Sequence, residues 1–152
     1  MKVAQKSCAL NLAELTQVIT HELRDVVRQS LDTSLSLIQI RTLAIVERMS
    51  GVGVSDIADH VGLGVSATST LIEGLVQRGC LMRTGATEDR RRVVVELTAT
   101  GTEMLTEARQ IYRDHLVDRL SDLSDAELST INSATTILLK IFANQPTAGA
   151  TR

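Results

Sequence analysis

Cysteine, proline and aromatic residues are scarce in this 152-residue chain, which holds 2 Cys, 1 Pro, 1 Tyr, 1 Phe and no Trp. Cys8 and Cys80 stand far apart and fit neither a disulfide-dense scaffold nor a metal-knuckle spacing, so reduced thiols are expected. The single proline falls in 143–152, which reads as a flexible tail. No run approaches the ~18 consecutive apolar residues of a membrane helix. After Lys2 and Lys6 the would-be leader is interrupted by Asn11 and Glu14, so neither a membrane span nor a signal peptide is expected, and the location reads as cytoplasmic. His21, His60 and His115 are too scattered for a metal motif, and no cofactor is expected. No Ser/His/Asp arrangement, phosphate-cradling glycine loop or carboxylate pair is visible, which argues against an enzyme.

What is present suits one globular domain: 43% hydrophobic residues and a mean hydropathy of +0.10. Leu12, Leu15, Ile19, Leu23 and Val26 recur at helical steps and predict a first helix over 7–30. Ser36 and Gln39 have capping-box spacing and open a second helix, Leu37 to Met49. A short third helix spans Asp56 to Val61, and a fourth runs from Val65 to Arg78, closed by Gly79. Thr98 precedes a fifth helix reaching Leu120, with Met104, Ala108, Ile111 and His115 along one stripe. Ser124 and Glu127 form a second capping box, opening a sixth helix to Phe142 with Leu128, Ile131, Leu138 and Phe142 in line.

Between the fourth and fifth helices, Cys80 to Arg83 and Val93 to Leu97 read as two strands, with Gly85 to Arg92 as their connection. Five arginines (Arg78, Arg83, Arg90, Arg91, Arg92) face two acids (Glu88, Asp89) here, a local charge of +3 in a chain of net −2, which leaves −5 elsewhere. Such segregation orients a protein on a polyanion, and planar guanidinium groups suit phosphates and base edges. The alternative is a solvated charged loop.

Just upstream, Val54-Ser55-Asp56-Ile57-Ala58 followed by Gly62 and a helix of small residues has the form of a helix-turn-helix. Ala58 lets two helices approach, and Gly62 permits the turn. The fourth helix opens with Ser66, Ala67, Thr68, Ser69 and Thr70, short side chains suited to phosphates and base edges, while Leu71, Leu75 and Val76 supply its buried face.

Together these segments resemble the MarR family of winged helix-turn-helix transcriptional regulators. The likeness runs from Leu35-Ser36-Leu37-Ile38-Gln39-Ile40-Arg41 through Val54 to Ala58 and Leu75 to Gly79. It ends on its most specific part, Asp89-Arg90-Arg91 followed by Val95, Leu97, Thr98 and Gly101. The resemblance implies a mainly α fold of six helices with a two- to three-stranded β-wing. It implies a single domain over 1–152, with 7–30 and 98–142 joining two subunits into a homodimer and 35–97 forming the winged helix-turn-helix. The partner would be double-stranded DNA with a pseudo-palindromic operator. Arg91 would enter the minor groove with Asp89 holding its guanidinium, Arg90 and Arg92 would meet phosphates, and Ser66, Ala67, Ser69 and Thr70 would lie at the major groove. The chain departs from the family pattern at Gly64, where a Ser or Thr cap is usual. It departs again at Thr70, where many members carry Arg, and at Gly74, which replaces a second polar residue; both shift weight from base readout towards shape readout.

The expected activity is sequence-specific repression, relieved by a small aromatic or amphipathic effector between the dimer helices and the DNA-binding lobe, with His21, Arg41 and Tyr112 as candidate contacts. Two alternatives stand beside it. Cys8 lies where peroxide-sensing members keep a reactive thiol, which would make the chain an oxidant sensor, although this chain offers only Tyr112 as a tyrosine neighbour. A winged helix can also dock proteins in place of DNA, but exposed apolar residues on the fourth helix would then be expected where Ser66, Ser69 and Thr70 stand. Cys80 reads as a buried small hydrophobe.

Overall fold

Short polar side chains and glycines set the helix ends. A computed structural model of the chain describes residues 3–30, 35–49, 51–85 and 93–143. In order they form α1 (Val3–Ser30), α2 (Leu37–Arg48), α3 (Val54–Val61), α4 (Val65–Gln77), β1 (Leu81–Gly85), β2 (Val93–Leu97), α5 (Ala99–Arg119) and α6 (Asp125–Ala143). Both capping boxes are made. The Ser36 amide donates to Gln39 Oε1 at 2.8 Å and the Gln39 amide to Ser36 Oγ at 3.4 Å; Ser124 and Glu127 repeat this at 2.9 and 3.4 Å. The hydrogen bonds from Ser124 hold the Glu127 carboxyl below the usual carboxylate range.

Two helix starts differ from expectation. α1 starts four residues before the expected Ser7, since nothing in Val3 to Lys6 breaks a helix. α3 starts at Val54 and not at Asp56, because extended Gly53 serves as its cap and donates its amide to Asp56 Oδ2 at 3.3 Å. α4 ends as expected: Gly79 takes φ 71°, and the Gly79 and Cys80 amides return to the carbonyls of Val76 and Leu75, both at 2.9 Å.

The strands pair antiparallel, Leu81 opposite Leu97 and Gly85 opposite Val93. β1 therefore runs Leu81–Gly85, displaced from the expected Cys80 to Arg83. Cys80 instead closes the α4 cap, and Gly85 belongs to the ribbon. The connection, with Asp89, Arg90, Arg91 and Arg92, lies outside the described residues, as does the tail from residue 144. A third strand is present only as a single bridge, Val52 to Val95, whose amide donates to the Val52 carbonyl at 2.9 Å.

The core lies inside the lobe formed by α2, α3, α4, the ribbon and α5, where Leu43, Ile57, Ile72, Leu75, Leu81, Val95 and Leu105 are buried. Each such side chain contributes about 1.5–3 kcal/mol by burial. α1 adds one fully buried side chain, Val27. None of the described side chains of α6 is buried, and Ile137, Leu139, Ile141 and Phe142 are exposed. Arg109 on α5 grips Glu47 on α2 with two hydrogen bonds, 3.1 and 2.6 Å, so this residue ties α5 to the lobe. That grip holds the Glu47 carboxyl below its ordinary range. With the folded value depressed, its contribution is complete above the unfolded carboxylate range and fades as pH falls through the lower folded value. The pair is well exposed, so its effect is small.

The tightest packing is where the ribbon meets α5. The Thr98 amide donates to the Cys80 carbonyl at 3.1 Å, the Thr98 hydroxyl to the Gly79 carbonyl, and the Gly101 amide to Thr98 Oγ1 at 3.0 Å. A methyl group on Gly101 would sit 2.0 Å from the Cys80 carbonyl oxygen. Gly101→Ala should therefore destabilise the fold by about 1–3 kcal/mol, the cost of forcing a methyl into a filled site. A lowered urea midpoint at unchanged slope is the expected result, and an unchanged midpoint would contradict this packing.

Candidate nucleic-acid interface

α4 buries Ile72 and Leu75 and turns Ser66, Ala67, Thr70, Glu73 and Gln77 to solvent, one stripe at helical spacing. Ser69 is half-buried at its edge. Thr68 points inward, fully buried, with its hydroxyl donating to the Gly64 carbonyl at 3.0 Å. The Thr70 hydroxyl donates to the Ser66 carbonyl at 3.2 Å. At the start of the helix Leu63 and Val65 are exposed apolar side chains. Extended Gly64 is the N-cap and offers no side-chain hydrogen bond. Gly74 has nothing within 4 Å of where a Cβ would stand, so the middle of the exposed face is an open notch.

Glu73 is the sole charged residue of α4. Arg83 of β1 reaches across to it, Nη2 to Oε2 at 3.2 Å, and joins the ribbon to this helix. Farther along the ribbon Thr84 donates to Glu96 across the strands at 3.1 Å. Asp89, Arg90, Arg91 and Arg92 follow in 86–92, outside the described residues.

A cavity of about 560 Å³ opens between the end of α1 and the start of α2, walled by Arg24, Val27, Arg28, Leu35, Ile38 and Arg41. Of the three residues expected to meet an effector, only Arg41 lines it. His21 is exposed on α1, one turn before Arg24, and pairs with Asp25 at 3.3 Å, the partner one turn along. Tyr112 packs against the core with its hydroxyl buried, and burial pushes its pKa up. Neither lines the cavity: α5 packs Tyr112 inward, and His21 stands on α1 before Arg24 with its ring paired to Asp25. The cavity brings in Arg24 and Arg28 instead. Their i,i+4 spacing beside Val27 was the available signal, but its meaning depends on how α1 crosses α2.

Cys8 is exposed on α1 and Cys80 is fully buried. Burial pushes the Cys80 thiol up, and its sulfur lies 3.3 Å from Met104 Sδ. His115 Nε2 is 3.1 Å from Glu22 Oε1 on α1, an oxygen that Arg119 Nε also approaches, at 2.8 Å. Among the described residues no group of three or more His, Cys, Asp or Glu could hold a metal ion, and no helix is long and apolar enough to cross a membrane.

Residues 35–93 match the model of the MarR family. The HTH-type transcriptional regulator YfiV of Bacillus subtilis is 29% identical over 110 residues, 72% of this chain and 69% of that protein. The crystal structure of RV1404 from Mycobacterium tuberculosis superposes with a TM-score of 0.77 at 20% identity, covering 97% of this chain and 99% of that one. A point mutant of Staphylococcus aureus MepR bound to an oligodeoxyribonucleotide superposes with a TM-score of 0.64 at 19% identity, over 87% of this chain and 95% of that one. The match falls on the α2-to-β2 segment that carries the helix-turn-helix and ribbon, and the solved structures share the order of helices around it. The chain thus has a winged helix-turn-helix fold, and its 35–93 segment is similar to the MarR family.

Proposed function

We propose that this chain is a DNA-binding transcriptional regulator of the MarR type, a homodimeric repressor that binds a pseudo-palindromic duplex operator and is released by a small acidic amphipathic molecule. The observation that carries the DNA reading is the exposed face of α4, which presents Ser66, Ala67 and Thr70 beside β1, while the sequence that joins β1 to β2 is rich in arginine. In this reading Ser66, Ala67, Ser69 and Thr70 face the major groove, and Leu63 and Val65 suit thymine methyls. Arg91 enters the minor groove with Asp89 behind it, and Arg90 and Arg92 meet phosphates. α4 carries no cation, so the ribbon supplies the attraction to the polyanion. The cavity supports the effector reading, since three arginines over an apolar floor call for an anion on an apolar body. The bare apolar side chains of α6 and the first half of α1 support the dimer, because a second copy would cover them.

Arg91→Ala should weaken operator binding by about 1–3 kcal/mol, and Asp89→Ala by part of that. Arg109→Ala should leave binding near wild type, because that guanidinium is spent on Glu47. Fluorescence anisotropy at moderate salt is the measurement, and equal affinities for all three variants would defeat the ribbon assignment.

Sedimentation should find a dimer at micromolar concentration, and Leu139→Glu with Phe142→Glu should shift it to monomer. The selected operator should carry half-sites about 10 bp apart, centre to centre. A wild-type monomer, or a selected site without two-fold symmetry, would contradict the dimer.

A further inference from the structure

Arg41 faces two ways. From α2 it forms part of the cavity wall with Arg24 and Arg28, while its Nη2 donates to the His60 carbonyl in the last turn of α3 at 3.0 Å. A helix leaves its last carbonyls without intrahelical donors. Here the Ala58 carbonyl takes the amides of both Gly62 and Leu63, at 2.9 and 3.2 Å, and the His60 carbonyl is satisfied from α2, 19 residues away in sequence. The His60 ring turns back along its own helix, with Nδ1 2.8 Å from the Asp56 carbonyl oxygen. The chain then bends through Gly62 at φ 79° and enters α4 at Gly64, whose cap has no side-chain hydrogen bond. The joint that aims α4 is therefore held on its α3 side by a side chain that also belongs to the cavity.

Charge makes this contact sensitive to what the cavity holds. Among the described residues no acid pairs with Arg24 or Arg41, and Arg28 meets Asp25 at 3.5 Å. Cations gathered on one wall repel one another, and an anion between them relieves that repulsion. A carboxylate also offers a guanidinium a full negative charge and two oxygens for its directional fork, whereas the His60 carbonyl offers one neutral oxygen. An anion in the cavity competes with the His60 carbonyl for Arg41 on favourable terms.

We propose that Arg41 is the positioning residue that couples the cavity to α4: an acidic ligand draws its guanidinium off the His60 carbonyl, and the α3–α4 joint loosens. This inference rests on the reading of the cavity as the effector site. Coupling of this kind is reciprocal, so the operator-bound protein holds the ligand more weakly by the same factor.

The test uses the full chain and 8-anilino-1-naphthalenesulfonate, a fluorescent anion on apolar rings. Its binding is followed by fluorescence, operator binding by anisotropy, and amide exchange at Gly62 and Leu63 by mass spectrometry, for wild type, Arg24→Met and Arg41→Met. Arg41→Lys keeps the charge without the fork and serves if Arg41→Met folds poorly. In wild type the probe should weaken operator binding about tenfold, within the usual range of coupling, and speed exchange at the joint. Arg41→Met should exchange fast there without the probe and show no further response to it. If Arg24→Met weakens probe binding but the probe still speeds exchange equally in wild type and Arg41→Met, coupling does not run through Arg41, and the cavity reading survives. If Arg28→Met, measured alongside, and Arg24→Met both leave probe binding unaltered, the cavity reading falls and takes the inference with it.

Discussion

The Cys80 carbonyl is the point on which the DNA-binding lobe depends. It accepts from the Thr98 amide, and Gly101 packs so closely against it that no other residue fits. One residue earlier the Gly79 carbonyl takes the Thr98 hydroxyl, and the amides of Gly79 and Cys80 close α4. The end of α4, the root of the ribbon and the first turn of α5 thus share a few atoms. A shift of α5 relative to α2 must carry α4 and the ribbon together, because a vertex packed this densely has no slack to absorb it. The Glu47–Arg109 pair on the far side of α5 is exposed and yields more readily.

On the proposed reading, charge is divided between elements in a way that separates holding DNA from reading it. α4 has a carboxylate and no cation, while Arg78 and Arg83 stand at and beyond its end with three further arginines in the connection. A surface of hydroxyls and small side chains adds little to non-specific attraction, which falls steeply with salt wherever it comes from cations. Discrimination by α4 would then depend on shape, on methyl contacts and on what Glu73 accepts, with Arg83 fixing that carboxylate in place.

Local chemistry makes much of this fold legible. Ser36 with Gln39 and Ser124 with Glu127 announce two helix starts, and Gly62 and Gly79 announce two ends, because each signal is complete within a few residues. The six helices and the strand Val93–Leu97 follow from periodicity and from the resemblance to known winged helices. Gly101 is visible only as part of a motif; that it faces the Cys80 carbonyl is a contact across 21 residues that no local pattern encodes. The site is less legible. Periodicity turns the polar face of α4 outward, but it does not pair Glu73 with Arg83, because one lies on a helix and the other on a strand. The chemistry of His21 and Tyr112 suits an effector, yet the cavity that the crossing of α1 and α2 leaves is lined by Arg24 and Arg28 and by neither of them.

The buried thiol at the vertex has a practical consequence. Cys8 is open to solvent, whereas Cys80 is sealed against Met104 with its pKa raised, so an alkylating reagent meets two cysteines of very different availability. Modification of Cys80 requires the lobe to open where α4, the ribbon and α5 join. When reclosing is fast, its labelling rate measures the free energy of that opening. The wild-type sequence therefore contains its own gauge of how firmly the DNA-binding lobe is held together, readable without an engineered probe.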